Sequence, residues 1–172
     1  MKFRHLLMLP LLRDHAAMLA PMTDAMITPP TTSAGPRLDG DSLEDASAFV
    51  RAAGLIIDEV TDSRVTGHME LGPDHLTPWG IVHGGVYSTA VESAASVGAS
   101  TAVRGRGEVA VGLTNTTHYF RSLTAGRVLV EATALYQGRT QQLWRVDITD
   151  ETGRLIAHGE VRLQNVAAMS PT

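Results

Sequence analysis

Cysteine is absent from the 172 residues of this chain. The protein therefore has no disulfide, no thiolate ligand for zinc and no cysteine nucleophile. This absence fits a reducing, cytoplasmic setting, which we take as the expected location.

Other absences narrow the range of functions. The formal net charge is −4, and no basic cluster reverses it, which argues against a general nucleic-acid binder. The apolar run Leu6–Leu12 is too short to span a membrane, because Arg13 and Asp14 end it. There is no internal repeat. We expect no metal site, since ligand spacing is missing among the histidines of the predicted domain, His68, His75, His83, His118 and His158.

Residues 1–40 are predicted to be a tail, separate from the folded domain. Residues 28–40 are rich in proline and threonine, which is the composition of a disordered linker. The later methionines at positions 8, 18, 22 and 26 would also serve as translation starts. We therefore expect residues 1–40 to be disordered or upstream of the true start, residues 41–168 to form one domain, and residues 169–172 to be a short C-terminal tail.

The most informative stretch runs from Thr77 to Val97. Its first part is a turn, because helix and strand interiors do not tolerate the close set Pro78, Gly80, Gly84 and Gly85. The residues that follow lack proline and are rich in alanine, which predicts one buried helix. Glu92 is the only acid on that helix, and an ionisable group on a buried helix requires an explanation.

The pattern along the rest of the chain predicts a curved antiparallel sheet of about five to six strands. A short helix is expected from Ser42, its N-cap, to about Ala52, and Gly54 ends it. Alternation and turn residues place strands near residues 55–60, 64–71, 109–121, 126–137, 140–149 and 155–166. Short loops between strands require antiparallel neighbours, because a parallel return needs a crossover of about a dozen residues. The predicted fold class is α+β, with one long helix against the sheet.

This pattern resembles the hotdog-fold acyl-CoA thioesterases, and within them the PaaI-like and 4-hydroxybenzoyl-CoA thioesterase group. The turn at the helix start reads Gly80-Ile81-Val82-His83-Gly84-Gly85, and Glu92 follows on the helix. Further matches lie downstream, at Val111-Gly112-Leu113, Phe120-Arg121, Gly138-Arg139-Thr140, Trp144 and residues 153–159. The resemblance covers about residues 45–167. It implies a central helix wrapped by the sheet, an acyl-CoA or aryl-CoA substrate, and no cofactor beyond the coenzyme A of that substrate.

Thioester hydrolysis needs a polarised carbonyl and an activated water or nucleophile. The first N–H groups of a helix have no partner within the helix and lie at the positive end of its dipole. Gly84, and with it Gly85, would donate to the oxyanion, because glycine lets an acyl group approach the backbone closely. Glu92 would act as general base, or as a nucleophile that forms an anhydride.

The spacing of these two groups predicts a site shared between two chains. Gly84 and Glu92 are eight positions apart, or about 12 Å along a helix. One helix can hardly place both around one carbon, since the donor must lie about 3 Å from the oxyanion. Two antiparallel helices related by a twofold axis can do so, and the resemblance implies the same composite site. We expect an obligate homodimer, alone or as a dimer of dimers.

Residues around Glu92 are candidates for supporting roles. Ser88 and Ser96 lie one turn before and after it, and the resemblance assigns Ser96 to orienting the water. His83 is expected to support the turn, as a core histidine bonded to a backbone carbonyl, rather than to react. Thr77 stands where the family has Asn or Gln. In place of the family's amide donor, this chain therefore has only a hydroxyl on a shorter side chain.

Four further positions are candidates for binding substrate. Trp79 lies beside the motif and is a candidate for lining the acyl pocket. The resemblance places Arg121 and the pair Arg139-Thr140 where the family contacts the phosphates and pantetheine of CoA. Loop arginines are, however, commonly just solvated.

Structural interpretations and other functions remain open at this point. Close helix–sheet packing would also explain Gly84 and Gly85, and an ion pair with Arg121 would explain Glu92. A hydratase or dehydratase would use a histidine with an acid on the same fold, and a non-catalytic acyl-CoA-binding module would keep only the groove. The short His-Gly-Gly turn argues against the first alternative, and Glu92 argues against the second.

Overall fold

A computed structural model describes residues 47–168 of the chain. They form two helices and six strands, with short 3₁₀ turns at Pro73–His75 and Arg104–Arg106. In chain order the elements are α1 (Ala48–Ala53), β1 (Ile56–Val60), β2 (Arg64–Leu71), α2 (Gly84–Val103), β3 (Glu108–Tyr119), β4 (Gly126–Gln137), β5 (Gln141–Asp150) and β6 (Leu155–Ala167).

All six strands belong to one sheet with the order β1-β2-β4-β5-β6-β3. Every neighbouring pair is antiparallel. The chain enters β3 directly from α2, although β3 lies at the edge farthest from β1 and β2. The predicted α+β architecture, one long helix against an antiparallel sheet, is therefore confirmed.

Most element bounds agree closely with those predicted from the sequence. Strands β2 and β4 begin and end at the predicted residues, and the other strands differ by one or two positions at an end. The short first helix begins later than expected. Ser47 is its N-cap, with its Oγ accepting a hydrogen bond from the Val50 N–H at 3.4 Å. The predicted cap Ser42 and the predicted tails lie outside the described residues. Gly54 ends this helix at φ 76°, as predicted.

Helix α2 packs closely on the sheet because its buried face consists of small side chains. That face contributes Ala90, Val91, Ala94, Ala95 and Ala99 to the core. Gly98 lies against the ring of Trp144 on β5, and a side chain at that position would overlap the ring. Gly159 on β6 contacts Val91 in the same way. The helix axis can therefore lie close to the strands, where a layer of larger side chains would separate them.

A buried amide network fixes the far end of α2. The Gln142 side chain, 1% exposed, donates from Nε2 to the Ala99 carbonyl at 2.9 Å and to Asn165 Oδ1 at 2.8 Å. Its Oε1 accepts from Trp144 Nε1 at 3.1 Å. Since every polar atom of Gln142 is bonded, the network holds the helix against β5 and β6 without leaving an unpaired buried group.

Within residues 47–168, no helix is both long enough and apolar enough to cross a membrane.

The close packing of α2 can be tested at Gly98. Alanine in a helix interior is ordinarily more stable than glycine by about 1 kcal/mol. We expect Gly98→Ala to lower the free energy of unfolding by about 1–2 kcal/mol instead, because the added methyl group overlaps the Trp144 ring and overpacking costs more than the helix gains. Urea denaturation followed by far-UV circular dichroism measures this.

Gly105→Ala is the matched control, since nothing lies within 4 Å of the added carbon there. It should change the free energy of unfolding by less than about 0.5 kcal/mol. A more stable Gly98→Ala variant would contradict the close approach of α2 to β5.

Candidate active site

The turn that leads into α2 is fixed by backbone hydrogen bonds. The Thr77 N–H donates to the Ile81 carbonyl at 2.7 Å, and the Gly80 N–H donates to the Thr77 carbonyl at 2.9 Å. Gly80 has φ 77°, a left-handed conformation that glycine adopts without strain. The His83 N–H donates to the His75 carbonyl at 2.8 Å, which ties the start of the helix to the preceding 3₁₀ turn.

His83 is the N-cap of α2. Its Nδ1 accepts a hydrogen bond from the Gly85 N–H at 2.8 Å. Because Nδ1 accepts, it carries no proton, and the ring is the neutral tautomer with its hydrogen on Nε2. The expected core position, bonded to a backbone carbonyl, is wrong, since the side chain is exposed and its partner is an N–H group. His83 does support the turn, and its Nε2–H remains as a donor.

The cap distinguishes the two glycines of the motif. The Gly85 N–H is used by His83, so Gly85 could donate to a ligand only by giving up the cap. The Gly84 N–H, by contrast, makes no hydrogen bond to any of residues 47–168. It lies in the first turn of a 20-residue helix, where the dipole favours negative charge. Gly84 is therefore the stronger candidate for an oxyanion donor.

Tyr119, at the end of β3, covers Gly84. A Cβ on Gly84 would lie only 2.9 Å from the Tyr119 ring. The Tyr119 hydroxyl lies 2.5 Å from Ser88 Oγ, and its ring contacts the Tyr87 ring with centroids 6.2 Å apart. Tyr87 is 2% exposed, and this burial raises the pKa of its phenol to about 12. The two tyrosines form an aromatic wall beside the exposed start of α2.

Glu92 is half-buried and lies against β3. Asn115 donates from Nδ2 to Glu92 Oε2 at 3.0 Å. The other carboxylate oxygen, Oε1, lies over Gly112, in the space that a Cβ on that residue would fill. The alternative that Glu92 pairs with Arg121 is wrong, because Arg121 Nη1 instead donates to the Leu155 carbonyl at 2.5 Å.

The sequence reasoning missed Asn115 altogether and used Gly112 only as part of a motif. A glycine inside a strand of β-branched residues was the available signal, since it indicates a close approach by another group. A bulge between Gly112 and Thr114 places both Gly112 and Asn115 on the helix side of β3. In a regular strand these two positions would face opposite sides of the sheet.

The two serines beside Glu92 differ in their contacts. The Ser88 carbonyl accepts from Asn115 Nδ2 at 3.1 Å, so Ser88 belongs to the group around Glu92. Ser96 lies one turn farther along α2 and is half-buried. Within the described part of the chain, no hydrogen bond joins its hydroxyl to Glu92. The water-orienting role of Ser96 therefore remains a prediction.

The turn before α2 also carries Thr77 and Trp79. The Thr77 hydroxyl is buried and, among residues 47–168, has no hydrogen-bond partner. Trp79 is 84% exposed, so in a single chain it lines no pocket. An open groove of about 290 Å³ lies beside the start of α2, and its walls include Phe49, Ala52, His75, His83, Val86 and Thr89.

The candidate CoA contacts are not brought together within one chain. Arg121 follows Tyr119 and so lies near the N-terminal end of α2. Arg139 and Thr140 lie in the turn between β4 and β5, and their carbonyls accept from Asn165. Because Asn165 also bonds Gln142, which reaches Ala99, this turn lies toward the opposite end of α2. Both arginines are exposed.

Gly84 and Glu92 are likewise separated, because both lie on α2. Eight positions of helix correspond to about 12 Å. In residues 47–168, moreover, no three His, Asp or Glu side chains are grouped so that they could hold a metal ion.

Comparison with known proteins relates this arrangement to a family. The profile of the thioesterase superfamily matches residues 80–157, the segment from the start of the glycine turn to the first residues of β6. A Mycobacterium tuberculosis protein named as an esterase is 42% identical over 122 residues, which are 70% of this chain and 87% of the relative. The chain belongs to the thioesterase superfamily. It is a thioester hydrolase, and its fold is the hotdog fold.

Three further comparisons show which proteins this thioesterase is similar to. The structure of the Mycobacterium tuberculosis esterase has a TM-score of 0.69 at 40% identity, over 72% of this chain and all of that one. A variant of the phenylacetic acid degradation protein PaaI from Thermus thermophilus has a TM-score of 0.63 at 30% identity, over 70% of this chain and all of that one. A Listeria monocytogenes 1,4-dihydroxy-2-naphthoyl-CoA hydrolase is 33% identical over 60% of this chain and 83% of its own length.

The position of the Glu92 carboxylate can be tested at Gly112. We expect Gly112→Ala to lower the rate of thioester hydrolysis roughly 100-fold, because the new methyl group takes the place of Oε1 and a displacement of about 1 Å can cost that much. Release of free thiol under saturating substrate measures the rate. Gly72→Ala, where nothing lies near the added carbon, should retain the wild-type rate. Equal rates for a folded Gly112→Ala variant would contradict a reactive carboxylate at this place.

Proposed function

We propose that the protein hydrolyses an acyl-CoA or aryl-CoA thioester to the free acid and coenzyme A. The observation that carries this proposal is the Glu92 carboxylate. It is held on one oxygen by a neutral amide and has its other oxygen over a glycine. It lies on the helix whose first N–H group, that of Gly84, has no hydrogen-bond partner among residues 47–168. A base and an oxyanion donor are the two groups that this reaction needs.

In the proposed reaction, the thioester carbonyl oxygen accepts a hydrogen bond from the Gly84 N–H, and the His83 Nε2–H is a second candidate donor. Glu92 removes a proton from water as the water oxygen attacks the carbonyl carbon. The tetrahedral intermediate then expels the CoA thiolate, which takes that proton back from Glu92, so that CoA leaves as the thiol and the base is regenerated. If Glu92 attacks directly, the same donors stabilise the oxyanion, and water hydrolyses the resulting anhydride.

We propose that the site forms between two chains through β3. This edge strand has 12 residues, and its exposed side chains include Val109, Val111 and Leu113 at 38%, 43% and 45% exposure. A long apolar edge is a template for pairing with another strand. The opposite edge, β1, has only 5 residues, includes Asp58 and Glu59, and is bulged, which are features that discourage pairing.

Pairing through β3 also supplies what one chain lacks. Helix α2 packs beside β3, so an antiparallel β3 pair with twofold symmetry brings two α2 helices alongside each other in opposite directions. Gly84 of one chain then faces Glu92 of the partner, which removes the separation of about 12 Å. The dimer accordingly has two equivalent sites, each with its base from one chain and its oxyanion donor from the other.

We propose the chemical class of the acyl group and not its identity. The Listeria relative is named for an aryl-CoA substrate, which favours aromatic thioesters within that class. Assays with aromatic, medium-chain and long-chain acyl-CoAs would compare them. If none of these thioesters is cleaved but one binds, a non-catalytic acyl-CoA-binding module would replace the proposal.

The role of Glu92 is tested by Glu92→Gln. We expect the release of free CoA to fall roughly 100- to 10,000-fold, because the amide can neither accept the proton from water nor attack the carbonyl. Light scattering should show the same oligomeric state as wild type. Glu160→Gln, on an exposed position of β6, is the matched control and should keep full activity. Wild-type turnover by Glu92→Gln would overturn the assignment.

The shared site is tested by mixing inactive chains. Gly84→Pro removes the N–H donor at a helix position that tolerates proline, and Glu92→Gln removes the base. A hybrid dimer of the two should regain activity, since one of its two sites receives both intact groups. Gly84→Ala is the control for Gly84→Pro. It keeps the N–H but crowds the Tyr119 ring, so it shows how much activity is lost through displacement of the ring alone. Isolated hybrids without activity would rule out a site formed between chains.

A further inference from the structure

We infer that Asn115 is a positioning residue for Glu92: its side-chain amide holds Oε2 and leaves Oε1, over Gly112, as the oxygen that acts on water or substrate. This inference rests on the proposed role of Glu92 in thioester hydrolysis. It adds a residue that acts through the base, and it distinguishes the two oxygens of the carboxylate.

The contacts of the Asn115 amide define its direction. Nδ2 donates to Glu92 Oε2 at 3.0 Å and to the Ser88 carbonyl at 3.1 Å. These two acceptors use both of its hydrogens. Asn115 therefore joins the Glu92 carboxylate to the helix backbone one turn before it. Because Asn115 lies on β3, this contact holds the flexible Glu92 side chain in place from the neighbouring strand.

Thr117 bonds the acceptor end of the amide. Its Oγ1 donates to Asn115 Oδ1 at 2.7 Å. A flipped amide would place Oδ1 against the Ser88 carbonyl and the Glu92 carboxylate, so that an acceptor would face two acceptors. The hydrogen bonds thus assign the orientation, with the donor end toward Glu92.

A neutral donor suits a catalytic base. Hydrogen bonding to a carboxylate favours its ionised form, and one amide does this without neutralising the charge. In the described part of the chain, no Lys or Arg forms an ion pair with Glu92. Oε2 is therefore oriented by Asn115, while Oε1 lies where Gly112 presents no side chain. Within residues 47–168, Oε1 accepts no hydrogen bond, so it is the oxygen left to act on a water molecule or a thioester carbon.

The test compares substitutions at Asn115 in the rate and its pH dependence. Asn115→Asp keeps the shape but places a second carboxylate against Oε2. We expect kcat at neutral pH to fall roughly 10- to 100-fold, and the acidic limb of the pH–rate profile to move about 1–2 pH units upward, since two adjacent carboxylates resist ionising together. KM should change less than about twofold, because the substrate keeps its own contacts.

Three variants complete the comparison. Asn115→Leu removes the donor without adding charge and should lower kcat roughly 10-fold, with the acidic limb less displaced than in Asn115→Asp. Thr117→Val removes the donor to Asn115 Oδ1, so the amide is held less firmly, and it should lower kcat a few-fold. Thr116→Val, the neighbouring position on the other side of β3, is the matched control and should leave kcat and the pH profile unchanged.

A series on the Glu92→Gln background separates this inference from the proposed function. If Glu92→Gln lowers the rate as expected, adding Asn115→Leu should lower the residual rate no further, because Asn115 acts only through the base. Folded Asn115 variants with wild-type kcat and an unmoved acidic limb would overturn the positioning role and leave Glu92 as the base. Full activity in Glu92→Gln would overturn both, since Asn115 would then have no base to position.

Discussion

The close approach of α2 to the sheet is the constraint on which the site depends. Alanines on the buried face of the helix, together with Gly98 against Trp144, keep the helix near the strands. At that separation a short asparagine side chain on β3 reaches both a helix carbonyl and the Glu92 carboxylate. Larger side chains in this layer would move the helix outward and break these bonds before they unfolded the domain.

At both ends of the site, an uncharged side chain orients the groups that take part in the reaction. His83 caps the helix by accepting from Gly85, which leaves the Gly84 N–H and the helix dipole uncompensated. Asn115 donates to Glu92 and leaves its charge in place. A cationic partner would hold the carboxylate more strongly but would lower its basicity. The use of an imidazole acceptor and an amide donor therefore fixes positions while preserving the electrostatics that hydrolysis requires.

The unequal edges of the sheet connect the fold to the proposed assembly. A chain with a 12-residue strand at its edge, the first half of which exposes apolar side chains, has a surface suited to a second copy. The same strand carries Gly112, Asn115 and Tyr119 on its helix side. In the proposed dimer, one strand therefore both forms the interface and shapes the site, so pairing and catalysis would depend on a single element.

The sequence by itself determined the fold class, the positions of nearly all elements, and the turn and helix that carry Gly84 and Glu92. These features follow from local patterns, namely alternation in the strands, glycine and proline in the turns, and small residues along the helix. Only the tertiary structure decided which side chains surround Glu92. Asn115 is 23 positions away from it, and it faces the helix because a bulge after Gly112 shifts the side chains of β3 by one position. A shift of one residue exchanges the two faces of a strand, and it depends on pairing with β6 that no local pattern specifies.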